Sequence, residues 1–531
     1  MNRLNGTIWL ACASVLAPVA TAQETLDRPN IILVMADDLG WSDIGCYGGE
    51  IATPHIDLLA RDGLRFTQFY NNAICGPTRA SLLTGLYCQQ VGHGGDHWNQ
   101  PKDFSKSMTI GEVLQSSGYR TMMVGKWQGR DSALDRGFDR FFGPMCQGKV
   151  SYFHEVDLNP FYLDRDRWQF PDDFYMTDAF NDYAAGFLRE AIQADQPFFL
   201  YVAHIAPHWP LHARQADISS WRNQYSERGW DEWRAERHQR QRQTGLVPSE
   251  WKLSPRPPAV DDWKEDPHRG WQAERMAAYA AQVSSIDRGL GQLLKLIDAS
   301  GQRENTLVLF LSDNGAAPNG GLAPSDQGFG FGPRSRNDQW RIDGVPIRPG
   351  SGPDNMPGPH DTFAAYGLAW ANVSNTPLRG MKATAWEGGI RTPLVVRWPA
   401  VIISRNRMTS QPGHVIDFMA TLLDVSNAKY PSTFEGRNPL PLEGKSLLPV
   451  LHGQHRQPHD VLCWSVLQQH AIRMGRWKAI RLKHGDSWQL FDLESDGTET
   501  TNLAEQKPFV VQRLADQFEA WQARVNTQPT P

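Results

Sequence analysis

The sequence lacks an excess of basic residues. It has 53 lysines and arginines against 58 aspartates and glutamates, which gives a formal net charge of -5 at pH 7. Proteins that bind nucleic acids present clustered basic surface, so the composition predicts no nucleic-acid partner. The chain also has no internal repeat and no low-complexity tract, and its 531 residues exceed what one small core can hold. These features favour one large domain with a smaller one attached.

Long apolar runs are also missing, apart from one at the amino terminus. There Arg3 precedes a short apolar stretch, residues 7–20, and Ala20-Thr21-Ala22 forms a small-residue cleavage site. The stretch is too short, and too quickly followed by polar residues, to anchor the chain in a membrane. We therefore predict a signal peptide over residues 1–22, no stable membrane insertion, and export to a bacterial periplasm or secretion.

Cysteine is scarce, with six in the chain, and no Cys/His spacing predicts zinc. Removal of the signal peptide leaves five, an odd number in a compartment that permits disulfides. One thiol must then stay unpaired or be modified, and Cys75 is the obvious candidate. Pairing among the others stays open; they are Cys46, Cys88, Cys146 and Cys463.

The segment 75–85, CGPTRASLLTG, predicts a loop that leads into a short helix. Pro77 suits the first helical turn, and Gly85 can end the helix. Cys75 then lies at the amino-terminal end, where the helix dipole favours negative charge. Arg79, four residues on, can share a face with it and hold an anion there. On the Cys-x-Pro-x-Arg pattern alone, a buried cysteine before an ordinary helix is an equally good interpretation.

Two apolar runs predict buried strands that end in oxygen donors. Asp37 and Asp38 follow residues 30–36, and Asp313 and Asn314 follow residues 305–312. The carboxyl ends of neighbouring parallel strands meet at one edge of a sheet, so these side chains can converge on one hard cation. The pattern favours calcium, with magnesium second. A solvated turn is the alternative for the first pair.

Two further polar side chains follow predicted strands at the same edge. Lys126 follows the run 119–124, and His208 follows the run 196–203 with prolines on both sides that stiffen its backbone. A single lysine at a strand end is usually a surface residue, and a single histidine is usually structural. Their position beside the acidic pairs makes a role in chemistry the better interpretation here.

The whole segment 75–85 resembles the signature of the type I sulfatases. Gly125-Lys126-Trp127-Gln128, the Pro-His-x-Pro motif around His208 and the segment 375–393 extend the resemblance over most of the mature chain, and it is nearest to the bacterial arylsulfatase group. The family has an alkaline-phosphatase-like fold, which agrees with our prediction of an α/β chain with a mostly parallel central sheet flanked by helices.

The resemblance implies a chemistry for these residues. A maturation enzyme would oxidise Cys75 to formylglycine, whose hydrate attacks a sulfate ester, and the resemblance also points to calcium. The implied catalytic side chains are those at positions 75, 79, 126, 208 and 382, with Lys126, His208, Lys382 and Gln128 contacting substrate. The implied metal ligands are Asp37, Asp38, Cys75, Asp313 and Asn314. Gln128 departs from the family, which has histidine there.

We predict a catalytic domain over residues 23–440 and a small α+β subdomain over 441–531, with a short antiparallel sheet and a terminal helix. Residues 219–258, rich in Arg, Glu, Gln and Trp, predict exposed helices and loops.

The function expected is hydrolysis of aryl sulfates or sulfated carbohydrates. Two alternatives stay open. One is a related phosphomonoester or phosphonate-ester hydrolase, and the other is a sulfated-glycan-binding protein with little turnover.

Overall fold

The computed structural model describes residues 28–93, 104–145, 151–155, 159–194, 196–318, 348–349 and 352–526. The predicted signal peptide and Cys146 lie outside the described residues. The four cysteines within them carry free thiols; these are Cys46, Cys75, Cys88 and Cys463. No helix in this part of the chain is long and apolar enough to cross a membrane.

The strands alternate with helices through the first two thirds of the chain, as expected of an α/β protein. The strands are β1 (Asn30–Ala36), β2 (Leu64–Tyr70), β3 (Arg120–Gly125), β4 (Arg140–Pro144), β5 (Phe161–Leu163), β6 (Asp166–Arg167), β7 (Phe198–Ala203), β8 (Thr306–Ser312), β9 (Arg348–Pro349), β10 (Thr362–Phe363), β11 (Arg391–Arg397), β12 (Arg407–Thr409), β13 (Gly413–His414), β14 (Leu462–Val466), β15 (Gln469–Met474), β16 (Trp477–Arg481) and β17 (Gln489–Asp492).

The α-helices are α1 (Pro54–Arg61), α2 (Cys75–Thr84), α3 (Ile110–Ser116), α4 (Met176–Gln193), α5 (Gln215–Ser226), α6 (Trp230–Gln243), α7 (Arg269–Ala299), α8 (Gly367–Ser374), α9 (Glu387–Ile390), α10 (Asp417–Ser426), α11 (Leu448–Leu451) and α12 (Pro508–Asn526). Short 3-10 turns span Gly45–Tyr47, Cys88–Val91, Leu134–Arg136 and Trp263–Glu265.

The central sheet is mostly parallel, as predicted. Within the described residues its strand order is β12-β2-β11-β8-β1-β7-β3-β4-β5-β6, with β13 beside β2. Strands β8, β1, β7, β3 and β4 run parallel, whereas β11 is antiparallel to both of its neighbours. The register aligns the last residues of the middle strands, because Ala36 pairs with Ser312, and Ala203 pairs with both Met35 and Gly125. Whatever follows these strands therefore meets at one edge.

Strand β1 is buried on both faces, as its unbroken apolar sequence predicts. Ile32 and Val34 pack into a core formed with α4 and α7. Ile31 and Leu33, on the other face, pack into a core with α2, α3 and α10. The two cores hold β1 rigidly, so the residues that follow it leave the sheet at a fixed point.

A four-stranded antiparallel sheet, β14-β15-β16-β17, forms the carboxyl-terminal α+β part of the fold. Helix α12 covers one face through Phe518 and Trp521. The other face packs Trp464 against Ile74 and Trp386 of the larger part. The predicted strands and terminal helix are confirmed here. The boundary near residue 440 stays a prediction.

The prediction of exposed helices and loops over residues 219–258 holds for about half of these residues, but one side of α6 is buried. Helix α6 buries Trp230 and Trp233, and the side chain of Arg237 is fully buried. The guanidinium of Arg237 lies 2.8 Å from an oxygen of Asp43 and 2.7 Å from one of Glu50. A paired arginine can be buried because its charge is compensated, which residue composition alone does not reveal.

Candidate active site

Cys75 is the first residue of α2, at the position that the sequence predicts. Ile74 before it is extended, and Gly85 ends the helix in the left-handed conformation at φ 70°. The side chain of Asn72 donates to the carbonyl of Pro77 at 3.1 Å and to the hydroxyl of Ser81 at 2.8 Å, which ties the preceding loop to the helix. The half-buried thiol is therefore held at the helix end that favours negative charge.

Four oxygen-bearing side chains gather beside this helix end, and we call them the acidic cluster: Asp37, Asp38, Asp313 and Asn314. All four are buried. The amide Nδ2 of Asn314 donates to Asp38 Oδ1 at 2.7 Å, and the backbone N–H of Asp38 lies 3.3 Å from Asp313 Oδ1. One ligand atom each from Asp37, Cys75 and Asp313 lies within 4.8 Å of the others. The edge of the sheet thus brings the predicted metal ligands together.

Three cationic side chains face the acidic cluster. Lys126 Nζ lies 2.6 Å from Asp37 Oδ2, and Lys382 Nζ lies 2.5 Å from Asp38 Oδ1. Arg79 is fully buried, and its guanidinium lies 2.8 Å from Asp313 Oδ2. Arg79 and Lys126 are almost completely buried, whereas the Lys382 side chain keeps 12% of its surface exposed. The predicted anion-binding side chains therefore lie at the same place as the predicted metal ligands.

The acidic cluster contains acceptors that nothing in the described part of the chain satisfies. Asp37 Oδ1, Asp38 Oδ2 and Asn314 Oδ1 are buried without a hydrogen-bond partner. A buried acceptor without a donor costs about 1–3 kcal/mol, and more when it is charged. Three such oxygens side by side match the donor set of a hard cation such as Ca²⁺ or Mg²⁺. The residues present therefore fit the predicted ion.

The pKa values in the acidic cluster depend on burial and on the charges of the neighbouring side chains. Burial alone would raise the pKa of Asp37, but Lys126 and His208, together with Arg79, outweigh it and hold that pKa below its ordinary value. Burial and the neighbouring carboxylate of Asp37 raise the pKa of Asp313. Burial would lower the pKa of Lys382, but the charges of Asp38 and Cys75 raise it. A bound dication would favour the ionised form of every carboxylate here.

His208 lies against the outer side of the acidic cluster. Its Nε2 is 3.6 Å from Asp38 Oδ2, and its Nδ1 is 2.5 Å from the carbonyl oxygen of Trp209. Nδ1 therefore carries the proton, which leaves Nε2 directed to the cluster. Burial lowers the pKa of His208, although Asp38 and Asp37 act in the opposite direction. The ring is held neutral, with one nitrogen able to exchange a proton.

Gln128 lies beside Cys75. Its amide Nε2 is 3.7 Å from Cys75 Sγ, and its Oε1 is buried without a hydrogen-bond partner in the described structure. The backbone of Gln128 is left-handed, at φ 60°, a conformation in which Asn, Asp and His are enriched among non-glycine residues. The side chain thus points to the sulfur atom and has one acceptor to spare.

Several residues that shape the site have no signal in the sequence. Asp43 accepts from Gly40 N at 2.9 Å and from the Tyr279 hydroxyl at 2.7 Å, which fixes the turn after Asp38. Asn375 Oδ1 accepts from Ala316 N at 3.1 Å, beyond Asn314. The contacts of Tyr279 with Asp43 and of Asn375 with Ala316 join positions 236 and 59 residues apart, so no local motif could have revealed them.

His93 is another residue that sequence reasoning missed. It is buried against α2, and a Cβ atom on Gly76 would lie 2.1 Å from its Nε2. Any side chain at position 76 would therefore require the ring of His93 to move. No spacing in the sequence links these two positions.

Comparison with known proteins finds matches over most of the chain. A family model described as sulfatase matches residues 29–428, and one described as the carboxyl-terminal part of N-sulphoglucosamine sulphohydrolase matches residues 381–524. An arylsulfatase of Klebsiella aerogenes is 31% identical over 470 residues, which cover 84% of this chain and 97% of that protein. An uncharacterized sulfatase of Schizosaccharomyces pombe is 30% identical over 554 residues, 95% of each chain.

A solved structure has the same fold. The crystal structure of Ps i-CgsB in complex with k-i-k-neocarrahexaose aligns with a TM-score of 0.67 at 24% identity, over 95% of this chain and 94% of that one.

Proposed function

The chain belongs to the sulfatase family, and on that premise we propose that it uses a formylglycine made from Cys75 and a calcium ion held by the acidic cluster. As a sulfatase it is a sulfuric ester hydrolase. We propose aryl sulfates or sulfated carbohydrates as its substrates, and a maturation enzyme as a further partner. The observation that carries the proposal is the group of unsatisfied buried oxygens beside Cys75.

The ligands we propose for the cation are the side chains of the acidic cluster and the oxygen that replaces the thiol of Cys75. When bound, the ion supplies positive charge that stabilises an anionic ester and a deprotonated nucleophile. The described cluster balances three carboxylates against Arg79, Lys126 and Lys382. A dication would give this balanced site a positive surplus, which suits a sulfate ester. Calcium is favoured over magnesium because ligand-rich, all-protein sites are more typical of calcium.

The nucleophile requires a change in covalent structure at Cys75. Conversion of its CH2–SH group to an aldehyde takes up one water, releases the sulfur as hydrogen sulfide and removes two electrons and two protons. The maturation enzyme passes those electrons to an external oxidant such as dioxygen. As its hydrate, the aldehyde supplies one hydroxyl for attack on sulfur and a second whose deprotonation expels sulfate.

The side chains around Cys75 supply charge stabilisation, proton transfer and hydrogen bonds in the proposed reaction. Arg79, Lys126 and Lys382 hold the charged oxygens of the ester and orient its sulfur. His208 takes up a proton from solvent at Nε2 beside the anionic ester and gives it to the leaving oxygen, while Asp313 accepts one from the attacking hydroxyl. Gln128 donates its amide hydrogen to the nucleophile, in keeping with the 3.7 Å between Nε2 and Sγ. Its spare acceptor, Oε1, can bind the second hydroxyl.

The proposal is tested on protein produced together with a formylglycine-generating enzyme. We expect the peptide that contains Cys75 to lose about 18 Da, and sulfate to be released from nitrophenyl sulfate faster than phosphate from nitrophenyl phosphate. A Cys75→Ala variant is the matched control and should melt like the parent but release no sulfate. A fully active protein with an intact Cys75 thiol would refute the nucleophile, and faster phosphate release would favour a phosphoester hydrolase.

We further propose that residues 1–22 direct export of the chain to a periplasm or beyond the cell. Proteolytic removal of that segment from the exported protein, seen by amino-terminal sequencing, is the expected result.

A further inference from the structure

Cys75 brings a sulfur atom to the acidic cluster. Its Sγ and one carboxylate oxygen each from Asp37 and Asp313 all lie within 4.8 Å of one another. Ligand atoms around one tetrahedral zinc lie about 3–4 Å apart, because zinc–ligand distances are about 2.0–2.3 Å. The structure describes the cysteine itself, so this geometry belongs to the chain before any conversion of the thiol. Small side-chain movements would bring all three atoms onto one ion.

The two carboxylates of this group have room for a ligand. Asp37 is completely buried, and its Oδ1 has no hydrogen-bond partner among the described residues. Asp313 is also completely buried, and its Oδ1 lies 3.3 Å from the backbone N–H of Asp38, a long contact for a hydrogen bond. The thiol of Cys75 is half-buried, so a cation from solvent can reach it.

The charges around the sulfur favour a cation there. When a metal binds, the thiol gives its proton to solvent and ligates as the thiolate. The thiolate and the three carboxylates of the acidic cluster then carry four negative charges against the three cationic side chains that face them. Gln128 Nε2, 3.7 Å from Sγ, can donate to the thiolate and hold it in position. Conversion to a neutral aldehyde would remove one of the four negative charges.

The ligand atom at position 75 determines which dication the site prefers. Thiolate is a soft ligand that zinc accepts, whereas calcium takes oxygen ligands. Formylglycine puts oxygen where Cys75 has sulfur, so the same position offers different donor types before and after conversion. The spacing of residues in the sequence could not indicate the sulfur-containing set, because its members come from three separate segments of the chain.

We propose that the unconverted chain binds zinc through Cys75, Asp37 and Asp313, and that conversion of Cys75 changes the preference of the site to calcium. The fourth coordination position of the zinc is open to water. The second half of the inference rests on the proposed function, because it requires formylglycine. The first half concerns only the encoded side chains. A chain that folds before conversion would thus hold zinc in place of calcium.

The test begins with protein produced without a formylglycine-generating enzyme, whose Cys75 peptide keeps the mass of the thiol. After metals are removed in the presence of a phosphine reductant, Zn²⁺ is titrated against a chromophoric chelator, and Co²⁺ serves as a spectroscopic probe. We expect one equivalent of zinc to bind, and cobalt to show a thiolate-to-metal charge-transfer band in the near ultraviolet. Absence of zinc binding, or of that band, in the parent would overturn the proposal even if no variant folds.

A serine at position 75 localises the effect, because Cys75→Ser keeps the shape of the side chain and removes the sulfur. The zinc affinity should fall at least about 100-fold, since outer-shell partners of a ligand alone account for about 10- to 100-fold. The charge-transfer band should disappear, and calcium affinity should change less than zinc affinity. The matched control is Cys46→Ser, which alters another half-buried free thiol and should keep both zinc and band. Unchanged zinc affinity in Cys75→Ser, or an equal loss in Cys46→Ser, would contradict the proposal.

Converted protein tests the change of preference. The ratio of zinc affinity to calcium affinity should be at least about 100-fold lower in protein whose Cys75 peptide has lost about 18 Da than in the thiol protein. An unchanged ratio would overturn the change of preference. Absence of the mass loss would count against the proposed function alone, whereas the zinc titration of the thiol protein would still decide the first half of the inference.

Discussion

Two buried clusters of charged side chains in this molecule differ in how fully they are paired. The interface cluster joins the two sheets and consists of Tyr70, Glu387, Arg391, Lys478 and Glu499. Lys478 Nζ lies 2.9 Å from Glu387 Oε1 and 2.7 Å from Glu499 Oε1. Tyr70 donates to Glu387 Oε2 at 3.0 Å, and Glu387 N donates to Glu499 Oε2 at 2.7 Å. Every carboxylate oxygen of the interface cluster therefore has a charged or hydrogen-bonding neighbour within 3.0 Å, although Glu499 Oε1 has only its ion pair with Lys478 and no hydrogen bond.

The acidic cluster is equally buried, yet three of its acceptor oxygens have no donor among the described residues. Burying a charge without compensation costs several kcal/mol, so a cluster that serves only stability is expected to be complete. The interface cluster meets that expectation. The acidic cluster does not meet it, and we propose that ligands complete it; Asp38 Oδ2 has His208 Nε2 at 3.6 Å, beyond hydrogen-bond distance. The two clusters thus differ in how closely their oxygens are paired.

The largest effect that we expect comes from breaking the interface cluster. Lys478→Met leaves the buried Glu499 without its cation and Glu387 with Arg391 alone of the cluster's cations, so the free energy of unfolding should fall by about 3–5 kcal/mol. Urea unfolding followed by circular dichroism measures it, with the exposed Lys483→Met as control. The rate of sulfate release per folded molecule should stay within about threefold of the parent. A small loss of stability would mean that the cluster is not the structural element we describe.

The opposite result is expected for the acidic cluster. Asp38→Asn removes one proposed metal ligand, and the rate of sulfate release should fall by about 100- to 1,000-fold, the usual cost of losing one charge-stabilising group. Its partner Lys382 keeps 12% of its side-chain surface exposed, so the loss of stability measured in chelator should be smaller than that of Lys478→Met. Activity within threefold of the parent would show that the unsatisfied oxygens of the cluster hold no catalytic ion.

Removal of divalent cations sharpens the comparison. A ligand that binds only the folded state at 100 times its Kd adds about 2.7 kcal/mol of stability, so chelation should lower the thermal midpoint and activity together. Added calcium should restore both. Chelation should still lower the thermal midpoint of the Lys478→Met variant, but it should not change the thermal midpoint of the Asp38→Asn variant. Full activity after exhaustive chelation would exclude the proposed ion.

Gln128 gives the smallest and most specific effect. A neutral amide does not titrate near neutral pH, whereas histidine does, and general acid–base help is typically worth ~100- to 10,000-fold. Because Asp313 can carry part of the proton transfer, we expect Gln128→His to raise kcat on nitrophenyl sulfate by only about tenfold, less than the full range of that help. KM should stay nearly unchanged, and the parent should release a burst of nitrophenol before its steady state.

The control for this variant is Gln89→His, a half-buried glutamine outside the site. A Gln128→His protein no faster than its parent, together with the absence of a burst, would show that the amide belongs to a different and adequate arrangement.

The sequence predicts the parts of this molecule that depend on local pattern. The apolar run of β1 and the helix that begins at Cys75 follow from residue order alone, and so does the expectation that Asp37 and Asp313 meet, because both end parallel strands. The pairing of Glu387 with Lys478 does not, since 91 positions separate them and no periodicity links them. The same holds for Arg237, whose burial depends on Asp43 and Glu50 across the fold.

The packing of β14 against Ile74 has a consequence for the timing of maturation. Trp464 covers the segment before Cys75, and its indole donates to Asn71 O at 2.7 Å. Roughly 390 residues separate Cys75 from Trp464. At a synthesis rate of about 5–20 residues per second, Trp464 is added to the chain roughly 20–80 s after Cys75. Throughout that interval the cysteine segment has not yet acquired its final neighbour, so the order of synthesis would leave the proposed maturation enzyme a period of access to it.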